Sequence, residues 1–205
     1  MPADNYRRTP NQPMPLDLPT PQFNLDRDKL RALVHYICDR VPNPKQWGAT
    51  KLNKALFYSD MESFLSLGRP ITGETYIKRQ FGPVSEHLPS ILEELERDRA
   101  IAISQATGYG PYSGAPRREF FSLRRPDISD FTPEEISIVD QTVDVICNEF
   151  TARGISEYSH DVVWEAAEIG EALPYFTAHA RSLGEIDETD VAWARDHLRL
   201  IQRRD

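Results

Sequence analysis

The chain is poor in cysteine, in surplus positive charge and in long apolar runs, and each shortage excludes something. Two cysteines in 205 residues are too few for the disulfide framework that holds small secreted domains together. Cys38 and Cys147 each sit beside apolar residues in a helical pattern, which reads as buried thiols in a reducing compartment. Two cysteines cannot build a structural zinc site alone, and the histidines at 35, 87, 160, 179 and 197 show no HExxH spacing. His35 and Cys38, three apart on one helical stripe, read as core packing. Asp187, Glu188 and Asp190 read as carboxylates at a helix start, where they complement the dipole. Neither a metal nor a cofactor is expected.

No window approaches the ~20 apolar residues of a membrane helix, and no apolar h-region follows the N-terminus. The expectation is a soluble, cytoplasmic protein. Lys and Arg total 24 against 32 Asp and Glu, a net charge of -8. That balance disfavours general nucleic-acid binding, which draws on phosphate neutralisation. There is no GxSxG, and no Cys/His pairing stands out, so no pattern argues for an enzyme.

What the chain does have is helical periodicity around a little strand. Prolines at 2, 10, 13, 15, 19 and 21 make residues 1–22 a flexible arm that cannot bury enough surface to order itself. Residues 23–205 are expected to form a single domain. The first helix is expected over 26–41, with Leu30, Leu33, Val34, Ile37 and Val41 as its stripe. A second is expected over 50–67, capped by Thr50. Leu52, Leu56, Phe57, Met61, Phe64 and Leu65 make it apolar around much of its girth, as suits a central helix. "TYIKRQF" (75–81) alternates like one strand, ended by Gly82-Pro83, and a third helix follows over 84–98. Strands at 100–104 and 117–123 flank a Gly- and Pro-rich loop.

Thr132-Pro133-Glu134-Glu135 combines an N-cap, a first-turn proline and a capping-box Glu. It opens a helix through Ile136, Val139, Val143, Ile146 and Phe150 that Gly154 should stop. A shorter helix is expected over 160–168, and a last over 188–202 with Val191, Ala194, Leu198 and Ile201 inward. The fold class expected is α+β, mainly α-helical, with a small antiparallel β-sheet or hairpin.

Gly68 to Gly73 has the glycine spacing of a phosphate loop, but Glu74 stands where that loop needs lysine. The helix-before-strand order is also inverted, so turn-making is the better reading. The element order over 26–123 overlaps that of a winged helix. Its candidate recognition helix carries Glu86, Glu93, Glu94, Glu96 and Asp98 against Arg97 and Arg99, a poor match to phosphates.

"KLNKALFYSDMESFLSLGRPITGETYIKRQFGPV" (51–84) closely resembles the opening of the Panacea domain, also called the SocA-like domain. Lys51, Leu52, Lys54, Phe57, Tyr58 and Asp60 fit its first run, with Phe57-Tyr58 reversing the commoner order. Gly68, Ile71, Gly73, Tyr76, Gly82 and Pro83 fit the next. Phe131 to Glu135 resembles the family's later helix start, and Ser159-His160 with Trp164 its C-terminal segment. The resemblance spans about residues 27–175.

It implies an intracellular antitoxin without catalytic machinery, one that neutralises a cognate protein toxin by direct stoichiometric contact. A toxic small alarmone synthetase is one such toxin, and a prophage setting is typical. Delivery of the toxin to a protease, as an adaptor, is the alternative, followed by a DNA-binding regulator and an unrecognised enzyme. Oligomerisation stays open.

The partner-binding residues expected are Tyr58, Tyr76, Lys78, Arg79, Gln80, Arg117 and Arg118. The two-residue period of 75–81 puts Tyr76, Lys78 and Gln80 on one exposed face and Arg79 on the other. Basic side chains beside aromatics suit an acidic face on the partner. Lys51, Lys54, Asp60, Gly73, Gly82, Pro83, His160 and Trp164 are expected to be structural. Among these, His160 should anchor itself to the "KLNK" helix, and Phe57 and Trp164 should pack in the core.

Overall fold

A computed structural model describes residues 22–109 and 116–179. The expected arm at 1–22, all but Gln22, lies outside the described residues. So do half of the 105–116 loop, residues 110–115, and the expected helix 188–202. What is described is mainly helical, with two small antiparallel sheets.

Helix α1 (Arg27–Arg40) begins where the Asp26 side chain accepts the Lys29 amide, and its inward stripe is Leu30, Leu33, Val34, Ile37 and Cys38. After a short 3-10 turn at Pro44–Gln46, α2 runs from Ala49 to Leu67. Its cap is Gly48, with no side-chain bond, in place of the expected Thr50. Gly68 ends it in a left-handed turn at φ 73°. Leu52, Ala55, Leu56, Phe57, Met61 and Phe64 are all buried, and α2 packs on α1, on α4 and α5 described below, and on the first sheet. It is the central helix that its girth of apolar residues implied. Each of these Leu, Phe and Met side chains contributes ~1.5–3 kcal/mol on burial, so this helix organises the core.

The stretch expected as one strand is a hairpin. Strand β1 (Tyr76–Arg79) pairs antiparallel with β2 (Gly82–Ser85), from Tyr76 opposite Ser85 to Arg79 opposite Gly82. Gly82-Pro83 lies inside β2, not beyond the strand, because Gly82 takes φ 99° and reverses the chain there. The free edge of β1 is then covered by residues 170–173. Lys78 N donates to the Glu171 carbonyl at 2.8 Å and Leu173 N to the Tyr76 carbonyl at 2.7 Å.

Since β2 uses Val84 and Ser85, α3 starts at Leu88 and runs to Arg97. Leu88, Ile91, Leu92 and Leu95 are its buried residues. The second sheet pairs β3 (Ile101–Tyr109) with β4 (Pro116–Ser122), in register from Ile101–Ser122 to Ala106–Arg117 and shifted beyond. Both strands run further toward the loop than expected.

Helix α4 (Pro133–Glu149) has the capping box in full. It ends five residues before Gly154, because Phe150 turns extended. Thr151 accepts the Gly154 amide and starts a separate helix, α5 (Ala152–Tyr158). The expected helix at 160–168 shrinks to α6 (Val162–Ala166), capped by Asp161. Both cysteines are free, and burial pushes the Cys38 thiol up to about 12. None of the helices described is long and apolar enough to cross a membrane.

Candidate partner-binding surface

The residues of the "KLNK…GPV" stretch form three small polar hubs beneath the surface. In the first, Asp60 is fully buried on α2. Its Oδ1 accepts the Thr72 amide at 2.9 Å, and its Oδ2 accepts the Thr72 hydroxyl at 2.6 Å and the Tyr76 hydroxyl at 2.8 Å. The Tyr175 hydroxyl reaches the same oxygen at 3.3 Å. Burial pushes the Asp60 carboxyl above its usual range, and these donors pull against that. The hub ties α2 to the loop before β1 and to residues a hundred positions further on.

Glu74 makes the second hub, and its burial was not anticipated. Its Oε2 accepts the Ser85 hydroxyl at 2.8 Å, and its Oε1 faces His87 Nδ1 at 2.9 Å. The signal was there: an acid one residue before a strand rich in large apolar and aromatic side chains. Gly73 beside it lies against the Asn24 carbonyl.

The third hub is built from lysines that reach carbonyl oxygens. Lys51 Nζ donates to the Ile146 carbonyl at 3.1 Å in the last turn of α4, where a cation complements the helix dipole. Burial lowers its pKa. Lys54, 1 % exposed, donates to the Pro83 carbonyl at 3.0 Å. Lys78 donates to the Ala167 carbonyl at 2.9 Å, just past α6, with its ammonium 4.0 Å from the centre of the Trp164 ring. Such a desolvated cation–π contact is worth ~2 kcal/mol.

His160 stacks on the other partner, its ring 3.8 Å from that of Trp164 and within 8° of parallel. It is desolvation first, then the charges of Lys54 and Lys78, that lower its pKa. Among the described residues the buried Nε2 of His160 has no hydrogen-bond partner. Trp164 is half-buried, and its indole donates to the Arg79 carbonyl at 3.3 Å.

This arrangement corrects the expected exposed face. Tyr76 is 1 % and Lys78 is 7 % exposed. The alternation along β1 holds, but the Tyr76 and Lys78 side turns inward because α2 lies beneath the hairpin and α6 with residues 170–173 closes over it. Arg79 and Gln80 remain in solvent at the hairpin turn. Arg117 and Arg118 are exposed on β4, in the other sheet, with Arg117 paired to Glu119 at 2.8 Å. The expected residues therefore do not form one strand face. They divide between two hairpins that share no pairing, and Tyr58 stands apart, half-buried on α2, its ring 5.2 Å from that of Phe57. Phe57 itself is fully buried.

A further ion-pair centre escaped the sequence reading. Glu135, fully buried at the start of α4, takes Lys29 Nζ at 2.9 and 2.8 Å and Arg69 Nη1 at 2.8 Å. Burial pushes its carboxyl up, but the Lys29 and Thr132 hydrogen bonds and both cations outweigh that and hold it below its usual value. Only its capping role was visible in sequence.

Among known families, a family model described as Antitoxin SocA-like, Panacea domain, matches residues 52–165, more than half of the chain. No curated protein and no solved structure gives a match.

Proposed function

The chain belongs to the SocA-like Panacea family of antitoxins, and from that premise we propose that it neutralises a protein toxin by binding it one to one, without catalysis. The family match over residues 52–165 carries this reading. The solvent-facing basic residues supply a means of recognition. Arg79 at the first hairpin turn, and Arg117 and Arg118 on the second, project from a chain of net charge -8. Their local field suits an acidic surface on the toxin, giving steering and register more than raw affinity. Tyr76 and Lys78 contribute by holding the hairpin that presents Arg79 and Gln80.

The test is co-expression with each genetic neighbour, scored as viable colonies. A neighbour that kills alone and is tolerated with this protein identifies the toxin. Its level in the rescued cells then separates blocking from delivery to a protease. Charge reversal at Arg79, Arg117 and Arg118 is expected to abolish rescue while the protein's own level stays unchanged. Undiminished rescue by that triple variant would remove these arginines from the account, and two harmless neighbours would remove its main support from the antitoxin reading.

A further inference from the structure

Residues 160–172 lie across the first hairpin, tied to it by polar contacts. The Trp164 indole donates to the Arg79 carbonyl at 3.3 Å, Lys78 Nζ to the Ala167 carbonyl at 2.9 Å, and Gly170 N to the Lys78 carbonyl at 2.9 Å. Within this stretch α6 has five residues, too few to be stable without packing. Glu165, Ala166 and residues 168–172 are exposed, Ile169 at 64 %. So little apolar burial marks a segment that opens locally before the rest of the fold.

A stacked ring pair fastens its start. His160 lies 3.8 Å from the Trp164 ring, and the same indole carries the Lys78 ammonium at 4.0 Å. We infer that residues 160–172 form a pH-sensitive latch over the first hairpin, closed while His160 is neutral and released when it takes a proton.

The groups around the ring give the latch its sign. Lys54 from α2 and Lys78 from β1 act on it with positive charge, against Glu157 from α5 and Glu165 from α6. Both lysines are buried, so solvent screens them little. Glu165 is exposed, Glu157 pairs with Arg153 in solvent, and the Asp161 carboxylate is engaged in capping α6. In the imidazolium both ring nitrogens carry protons, and the Nε2 proton then faces no acceptor among the described residues. A buried charged donor without a partner is costly, so the charged ring favours the open state, where water solvates it. Burial first, and then the two lysines, already hold the His160 pKa below its ordinary 6.5. Closure therefore keeps its full stability above about pH 6.5 and loses it as the pH falls toward the lower, closed-state value. Opening uncovers the outer edge of β1, while Lys54 and Asp60 still hold the hairpin to α2. This inference does not depend on the antitoxin reading, and its test involves no toxin.

Amide hydrogen exchange on the full-length protein, divided by the intrinsic rate at each pH, reads the opening directly. From pH 7.5 to 5.5 the peptide covering 163–172 is expected to lose protection by up to ~10-fold, the limit for one linked proton with an open-state pKa of about 6.5. The peptide covering α3 should keep its protection, which excludes general unfolding. His160→Phe keeps a flat ring against Trp164 but takes no proton, and should flatten the dependence. A wild-type latch indifferent to pH would overturn the inference, as would a loss that survives His160→Phe or that α3 shares equally. Should the variant not fold, a magnetic-resonance titration of the wild type decides. The His160 ring should titrate below 6.5 with the Trp164 indole proton shifting at the same midpoint. An ordinary His160 midpoint, or an indole that does not follow it, would equally sink the latch.

Discussion

Glu135→Gln tests most directly how the helical core is tied together. The carboxylate is fully buried, and Lys29, whose side chain is 11 % exposed, lies 2.8 Å away. Removing one partner of such a pair strands the other charge, at about 3–5 kcal/mol. Arg69 is 49 % exposed and adds less than ~1 kcal/mol, because solvent screens it. Glutamine can still accept the Thr132 amide, so the lower end, about 3 kcal/mol, is expected. With a urea dependence of ~2 kcal/mol per molar, the unfolding midpoint should fall by about 1.5 M at an unchanged slope. Lys29→Met should cost a similar amount alone, and the double variant less than the sum by ~1–3 kcal/mol. Costs that add within ~0.5 kcal/mol would refute the pairing. The pH dependence has a fixed sign. A carboxyl held below its ordinary value of 4.5 stabilises the fold fully above its unfolded pKa. That contribution disappears as pH falls through the lower, folded value. The gap between wild type and Glu135→Gln should therefore narrow below about pH 4.

Two more substitutions probe the buried hubs. At Gly82→Ala, a Cβ on a backbone with φ 99° would run into the Lys54 ammonium and the Ser159 hydroxyl. Strain of ~1–3 kcal/mol and loss of the Lys54 bond to the Pro83 carbonyl, ~1.5–3 kcal/mol, predict a urea-measured loss of roughly 3–5 kcal/mol. A loss under ~0.5 kcal/mol would show that the hairpin relaxes freely there. Tyr76→Phe removes one hydroxyl donor from the buried Asp60 carboxylate, at ~2 kcal/mol. Thermal unfolding should then shift down by about 4–8 °C for a chain of this length, and an unshifted transition would exclude Tyr76 from the hub.

The parts of the fold that were legible in the sequence are those with strong local signals. The apolar stripe of α1, the breadth of α2 and the capping box of α4 each express their structure within a few residues. The hairpin at 76–85 was not legible, because Gly-Pro usually ends a strand, whereas here φ 99° at Gly82 starts the return strand. Helix α5 was hidden by its seven-residue length and by Gly154 in its first turn. For the candidate surface, the two-residue period was readable but its direction was not. Which side of β1 meets solvent is decided by Asp60 on α2 and by Trp164 and Ala167 at α6, the latter almost a hundred residues later. Glu135 shows the same limit: its cap lies three residues away, but its ion pairs come from positions 29 and 69.

The division between inward and outward residues has a consequence for how binding and folding combine. Lys54, Asp60, Gly82 and Ser159 join α2, both hairpin strands and the end of α5 through contacts that exclude water. Change there alters stability first, and binding only through the hairpin it supports. Arg79, Gln80 and Arg118 are exposed, so their replacement leaves the hubs intact. A basic residue at a hairpin turn of an acidic protein acts mainly on encounter, and its effect should fade as salt screens it within ~10 Å. The hairpin is thus a rigid mount with an exchangeable tip. Its stability comes from the buried residues, and in the proposed function its selectivity comes from the few that solvent reaches.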